Sequence, residues 1–268
     1  MDNSLNKNWW DKNTMSYQEW NLKEELRSKD DPKNIEMVNK NYITSNPYLT
    51  DFFSDLEIKK RNKETSFEKV LDLGCGWGSS SILLSKLFKE VHSIDISTTS
   101  IIKAKKNIDL HKIKNIKLEE LDAEKLSSKN EYDFVYSWGV IHHSSNPSKV
   151  YKKMYDSLKG DGAFMIMVYN ENSLRYYFKG IYQLLFKLKF FKGYNLKTVQ
   201  KFFTDGYYHK HYKPQKLINE LKIIGFNNLS YELTHMEKSY TPFFKKNSKY
   251  DNFLKKKFGW LLVVKGKK

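Results

Sequence analysis

Val70-Leu71-Asp72-Leu73-Gly74-Cys75-Gly76-Trp77-Gly78 reads as a strand running into a glycine-rich turn. Its first half is a short apolar run with the β-branched and aliphatic character of a buried strand, and its second half alternates glycine with other residues. Glycine is needed where the backbone turns tightly and lets a ligand approach closely, and the helix that follows offers unpaired N–H groups. Ser79 to Phe88 reads as that helix, with Ile82, Leu83 and Leu87 at helical spacing. Downstream, Val91 to Ile96 reads as a second strand, and Asp95 near its end lies 23 positions after Asp72 (95 minus 72). An acid about 20 residues beyond a glycine turn is placed to accept hydrogen bonds from ribose hydroxyls.

Further outward, apolar runs keep alternating with helical patterns. Helix Thr99 to Leu110 is followed by strands Ile116 to Leu121 and Phe134 to Ser137, helix Pro147 to Leu158 and strand Ala163 to Tyr169. Helix Leu217 to Ile224, stopped by Gly225, precedes strand candidates Leu229 to Leu233 and Trp260 to Val264. The alternation predicts an α/β fold with a doubly wound, seven-stranded sheet. Four regions are expected: an N-terminal helical cap over 1–66, a core over 67–169, an aromatic, basic lid inserted after the fifth strand over 170–213, and a C-terminal completion of the sheet over 214–268. Within the lid, Leu174, Tyr177, Phe178, Ile181, Leu184, Leu185 and Leu188 recur at helical spacing, with Arg175, Lys179 and Lys187 on a common stripe. That pattern predicts a basic amphipathic helix within Asn170 to Gly193.

Two ligand classes suit a glycine turn with an acid-tipped second strand. A dinucleotide fingerprint places its third glycine at the sixth position, here Ser79, whereas the glycines fall at 74, 76 and 78. Asp72 adds an anion where a pyrophosphate would be repelled, and suits a cationic ligand instead. A nicotinamide oxidoreductase is therefore disfavoured.

These residues resemble class I S-adenosylmethionine-dependent methyltransferases with a type 11 methyltransferase domain, a Rossmann-like family. The resemblance covers Glu68 to Asn170 by motif. It implies that S-adenosyl-L-methionine is the cofactor, that Asp72 and the backbone of Gly74, Gly76 and Gly78 hold the methionyl part, and that Asp95 binds the ribose hydroxyls. It further implies that Ile96 packs on the adenine, that Asp122 and Ala123 meet the adenine amino group, and that Ser137 offers its carbonyl to the methionyl ammonium. The segment Trp138-Gly139-Val140-Ile141-His142-His143 resembles the one that commonly ends the fourth strand in this family.

In methyl transfer the cofactor supplies the leaving group, so the protein aligns nucleophile and electrophile, and a base helps only where the nucleophile must lose a proton. His142 and His143 follow the fourth strand at the edge where open α/β sheets bind ligands, and are the candidate bases; one of them packing in the core is the structural alternative. Tyr169 and Asn170 at the end of the fifth strand, His209 and His211 in the lid, and Tyr17 with neighbouring N-terminal aromatics are the candidate substrate residues. His209 and His211 lack the cysteine or acidic company of a metal site, and no metal is expected. Carbon-5 methylation of cytosine needs a thiolate, and Cys75, the chain's one cysteine, is committed to the glycine loop. The reaction expected is transfer to oxygen or nitrogen of a small molecule.

The chain has 268 residues, 47 Lys+Arg against 31 Asp+Glu, and a net charge of +16. Met1 to Gly162 carries 26 basic and 25 acidic residues, and Ala163 to Lys268 carries 21 and 6, so the excess lies in the lid and tail. Such asymmetry suits RNA, an anionic membrane surface or an acidic acceptor, and also follows from a lysine-rich composition with only Arg27, Arg61 and Arg175 as arginines. Two alternatives therefore stand beside the small-molecule reading: an RNA-binding methyltransferase, and one that takes a lipid-like acceptor from a membrane surface through the lid helix. The single cysteine excludes an intramolecular disulfide framework, and neither a signal peptide nor a membrane span is legible, so a cytoplasmic protein is expected. Composition does not fix the oligomeric state.

Overall fold

The computed structural model of the chain describes residues 3–16, 29, 31–64, 66–236 and 248–268. Strand β1 (Lys69–Leu73) lies in the middle of a sheet, paired in parallel with β2 (Glu90–Asp95) on one side and β4 (Tyr132–Trp138) on the other. Beyond β2 comes β3 (Ile116–Glu120), also parallel; beyond β4 come β5 (Leu158–Asn170), then β8 (Leu261–Lys267) and β7 (Asn227–Thr234), with β8 antiparallel to both neighbours. The order is β3-β2-β1-β4-β5-β8-β7, the seven strands expected. An eighth, β6 (His211–Tyr212), adds two residues parallel to the end of β5, so His211 is a strand residue as well as a member of the inserted segment.

The middle of the sheet, β1, β4, β5 and β8, is buried on both faces because its side chains alternate between two apolar layers. On one face Phe134, Tyr136, Met165 and Met167 pack against Tyr42 of α2 (Pro32–Thr44), Phe52 and Phe53 of α3 (Tyr48–Arg61) and Leu84 of α4 (Ser79–Ser85). On the other, Val135, Phe164, Ile166 and Val168 meet Val150 and Met154 of α6 (Pro147–Ser157) and Leu217 and Leu221 of α8 (Pro214–Ile224). Between β2 and β3 runs α5 (Thr98–Leu110), started by the Ser97 side chain accepting from the Ser100 N–H at 3.1 Å. Helix α9 (Lys249–Phe258) precedes β8. Among the described residues no helix is long and apolar enough to cross a membrane.

Helix α1 (Ser4–Lys12) lies across the ends of β2 and β3 and is fastened by polar contacts. Lys7 reaches the Ile96 carbonyl at 3.3 Å and Glu120 at 2.9 Å, while Asp11 accepts from the Ser97 hydroxyl at 2.8 Å and the Thr99 N–H at 3.2 Å. Asn3 donates to Asp122 at 3.0 Å and to Glu124 at 2.8 Å. Glu124 is a buried hub, for the same carboxylate oxygen also accepts from Ser144, Ser145 and the Asn146 N–H. It joins the N-terminal segment, the turn after β3 and the turn after β4.

The inserted segment departs from the single long helix that its periodicity predicts. Its α-helical part, α7 (Leu174–Ile181), gives way to a wider turn over Tyr182–Phe186 and a short tight turn over Phe190–Lys192. Gly180 packs against Leu196 and Val199, so the chain folds back on itself instead of continuing outward. Periodicity reported the apolar stripe and could not report this reversal, which depends on contacts 15 or more residues away.

Candidate active site

The backbone between β1 and α4 turns sharply at the glycines quoted above. Gly74 has φ +80° and faces Val140 so closely that any side chain would overlap it. Gly76, at φ +54°, is different, because a side chain there would project into open space. That space belongs to a cavity of about 320 Å³ at the C-terminal edge of the sheet. Gly74, Cys75 and Gly76 form one wall, Asp95 and Ile96 from the end of β2 another, and Asp122 and Ala123 after β3 a third. The glycine loop, the acid of β2 and the pair after β3, singled out separately in the sequence, thus meet around one cavity.

Asp95 has one carboxylate oxygen on the Gly76 N–H and the other on the Ser97 N–H, both at 2.9 Å. Each oxygen keeps further acceptor capacity. Burial pushes its pKa up to about 6. Asp122 caps the turn that follows it, accepting from the Glu124 N–H at 2.9 Å. Asp72 lies elsewhere. It is fully buried beneath the loop, where one oxygen accepts from the Ser80 hydroxyl at 2.7 Å and the Ser81 hydroxyl at 2.6 Å, and it does not line the cavity. Its side chain ties β1 to the first turn of α4, and its charge acts from behind the glycines; burial pushes its pKa up to about 6 as well. Ser137 and Gly78 also stand back from the cavity: the Ser137 hydroxyl donates to the Leu73 carbonyl at 3.0 Å, and Gly78 packs on Ala104.

The two histidines part company. A tight turn over Ile141–His143 rotates successive side chains by about a third of a turn, and only His143 reaches the cavity. His142 packs into the interior, its ring 4.0 Å from those of both His143 and Tyr169. The His143 Nδ1 lies 2.9 Å from the Tyr208 carbonyl, and since a carbonyl only accepts, Nδ1 carries the hydrogen. In the neutral ring Nε2 therefore holds the lone pair, and it is buried with no hydrogen-bond partner. Burial lowers the His143 pKa, against an opposing pull from Asp205. Asp205 lines the cavity and accepts from the Tyr169 hydroxyl at 3.3 Å.

Tyr169 lines the cavity, whereas Asn170, expected beside it, points into the backbone: its side chain donates to the Gly259 carbonyl at 2.8 Å and accepts from the Asn172 N–H at 3.0 Å. His209 and His211 lie behind Tyr169 and do not line the cavity; burial holds the His211 pKa down to about 3. Tyr17 lies outside the described residues. Trp10 of α1 does reach the cavity, its ring 5.0 Å from that of His143. Arg175, Asp205 and Trp260 also line the cavity, and no motif or spacing marks them as cavity residues. The Arg175 guanidinium sits 5.0 Å over the Trp260 ring. Their positions depend on where β8 and the inserted segment return to the end of β5.

The fold and the site together define a class I methyltransferase-type domain. A family model described as a methyltransferase domain matches residues 64–248, and the chain belongs to that family. Among curated relatives, the tRNA/tmRNA (uracil-C(5))-methyltransferase of Campylobacter lari is 35% identical over 48% of this chain and 38% of its own. The ubiquinone biosynthesis O-methyltransferase of Acinetobacter baylyi is 24% identical over 59% of this chain and 63% of its own. The chain thus spans between about a third and two thirds of the length of these relatives. A crystal structure of a protein from Listeria monocytogenes has a TM-score of 0.53 at 18% identity, covering 76% of this chain and 92% of that one, a likeness of fold.

Proposed function

We propose that the chain transfers a methyl group from S-adenosylmethionine to an oxygen or nitrogen of a small molecule, with His143 as the base. The observation that carries this reading is His143, which lines the cavity together with Gly76 and Asp95 and whose Nε2 lone pair is buried without a hydrogen-bond partner. The residues fit the cofactor. Gly76 leaves room where a side chain would intrude, Asp95 on the cavity wall has acceptor capacity for hydroxyls, and its carboxylate with that of Asp72, buried behind the glycines, makes this end of the cavity favourable for a cation. When bound, the cofactor supplies an electrophilic methyl group on a sulfonium and leaves as a neutral thioether.

The chain's own residues do the rest. The glycine loop and Asp95 position one reactant, while Trp138, Met167 and Trp10 keep the acceptor side apolar and limit water. His143 Nε2 takes the proton from a hydroxyl or ammonium acceptor, and the Tyr208 carbonyl holds the imidazole in the tautomer that can do so. Asp205 lies where it stabilises the resulting imidazolium.

Carbon-5 methylation of a pyrimidine, the reaction named for the Campylobacter lari protein, fits this chain poorly. It requires a nucleophilic thiolate, and Cys75 is buried with its pKa raised by burial. The test is turnover against a panel of phenols, hydroxy acids and amines. His143→Ala should reduce turnover of an accepted substrate by about 10²–10⁴-fold while cofactor affinity stays within error. Unchanged turnover in that variant would remove the base from the proposal.

A further inference from the structure

The inserted segment carries an apolar surface that the fold leaves uncovered. Phe178, Leu185, Phe186, Leu188, Phe190 and Phe191 are 53–81% exposed, although residues of this kind are ordinarily buried. They come from consecutive turns between α7 and the tight turn at Phe190–Lys192. Residues 172–204 hold one Arg and six Lys and not one Asp or Glu. Several of the lysines lie along aromatic rings of the same segment, with Lys189 4.2 Å over Phe202, Lys201 4.8 Å over Tyr194 and Lys187 5.8 Å over Tyr182. Their aliphatic stems cover apolar surface while their charges stay at its margin.

We infer that this surface docks on an anionic lipid bilayer. Three possible occupants differ in what they would meet here. A second copy of the chain would set six lysines against six, with no acid in the segment to relieve the repulsion. An RNA would use rings for stacking and arginine for phosphates, but the patch is partly aliphatic, through Ile181, Leu185 and Leu188, and its one arginine, Arg175, lines the cavity. A bilayer takes aromatic and aliphatic side chains into its interface and attracts the lysines to its headgroups, so it satisfies both halves of the pattern. The first turn of α7 contributes Arg175 to the cavity wall while its later turns lead to the exposed patch. Docking would therefore set the cavity beside the membrane surface, where a lipid-like acceptor is found.

Flotation with vesicles tests this, using the whole chain and two compositions, phosphatidylcholine alone and phosphatidylcholine with phosphatidylglycerol. The protein should float with the anionic vesicles only, and release as salt is raised. Lys187→Ala combined with Lys192→Ala should weaken binding by about 25-fold, about fivefold for each charge near the surface. Phe190→Ser combined with Phe191→Ser should abolish flotation while leaving S-adenosylhomocysteine affinity unchanged, which separates loss of docking from loss of folding or of the cofactor site. Equal recovery on both compositions, or flotation undiminished in the phenylalanine variant, overturns the inference. So does self-association that the phenylalanine variant abolishes, or RNA binding, where no vesicle binding accompanies it.

Discussion

The ends of β1 to β3, and the end of β5 with the segments that return to it, line one cavity by different means. At the first wall, hydrogen bonds to backbone fix the polar side chains: Asp95 holds two N–H groups and Asp122 caps a turn. At the second, rings hold one another, as Tyr169 stacks on Trp260 at 4.3 Å and the Arg175 guanidinium lies 5.0 Å over the same Trp260 ring. The first kind of wall tolerates little change and is written in short, local sequence motifs. The second depends on how distant segments return, and tolerates change at its exposed rim.

The largest effect is expected at the glycine loop. Gly74→Ala combines a left-handed backbone with an overlap on Val140, and should cost about 2–4 kcal/mol in urea unfolding, with cofactor binding lost. A cost below about 1 kcal/mol would mean that the loop relaxes easily and that the contrast between the walls is overstated.

Asp72→Asn should work in the other direction for stability. The folded pKa of about 6 lies above the ordinary 3.8, so the folded chain binds more protons between those values and loses stability as pH rises through them. The penalty is fully present above about pH 6 and absent well below 3.8. Removing the charge should stabilise the ligand-free protein at pH 7.5 by up to about 3 kcal/mol, less whatever its hydrogen bonds to Ser80 and Ser81 contribute, with no gain at pH 3. S-adenosylmethionine should bind more weakly to the variant. Because Asp95 shares the raised pKa, affinity in the unmodified protein should also fall as pH drops through about 6.

A smaller response is expected from His143. Its pKa is lowered, so it is neutral at pH 7, and its contribution to stability declines as pH falls below the unfolded value near 6.5. Nitrogen-15 spectra of the imidazoles should show the hydrogen on Nδ1 at neutral pH; a hydrogen on Nε2 would leave that nitrogen without the lone pair a base needs. The smallest effect belongs to the exposed rim. Phe191→Ser, at a residue 81% exposed, should change stability by less than about 0.5 kcal/mol. A loss above 1 kcal/mol would show that this surface is held within the protein.

This division also explains what the sequence made legible. The order of strands, the glycine turn and Asp95 follow from periods of two and 3.6 residues and from spacing along one βα unit, which are local properties. Asp72 shows the limit of such reading, because spacing marks an acid near a ligand without saying whether its carboxylate faces the cavity or the helix behind it. His142 and His143 differ by one step along a tight turn, and sequence cannot say which of them faces inward. Asp205 and Trp260 come from segments that reach the cavity only through the packing of β6 and β8 on β5, so no nearby pattern announces them. Tyr182 to Phe191 kept its amphipathic composition visible while its fold-back was invisible.

In the proposed reaction the wall formed by the glycine loop and Asp95 holds S-adenosylmethionine. Isothermal titration of S-adenosylhomocysteine into the unmodified protein and into Asp95→Ala tests it most directly. Saturable one-to-one binding is expected, weakened by about 10–150-fold in the variant through the loss of charge-assisted hydrogen bonds worth about 1.5–3 kcal/mol. No binding to the unmodified protein, or equal affinity in both, would contradict it.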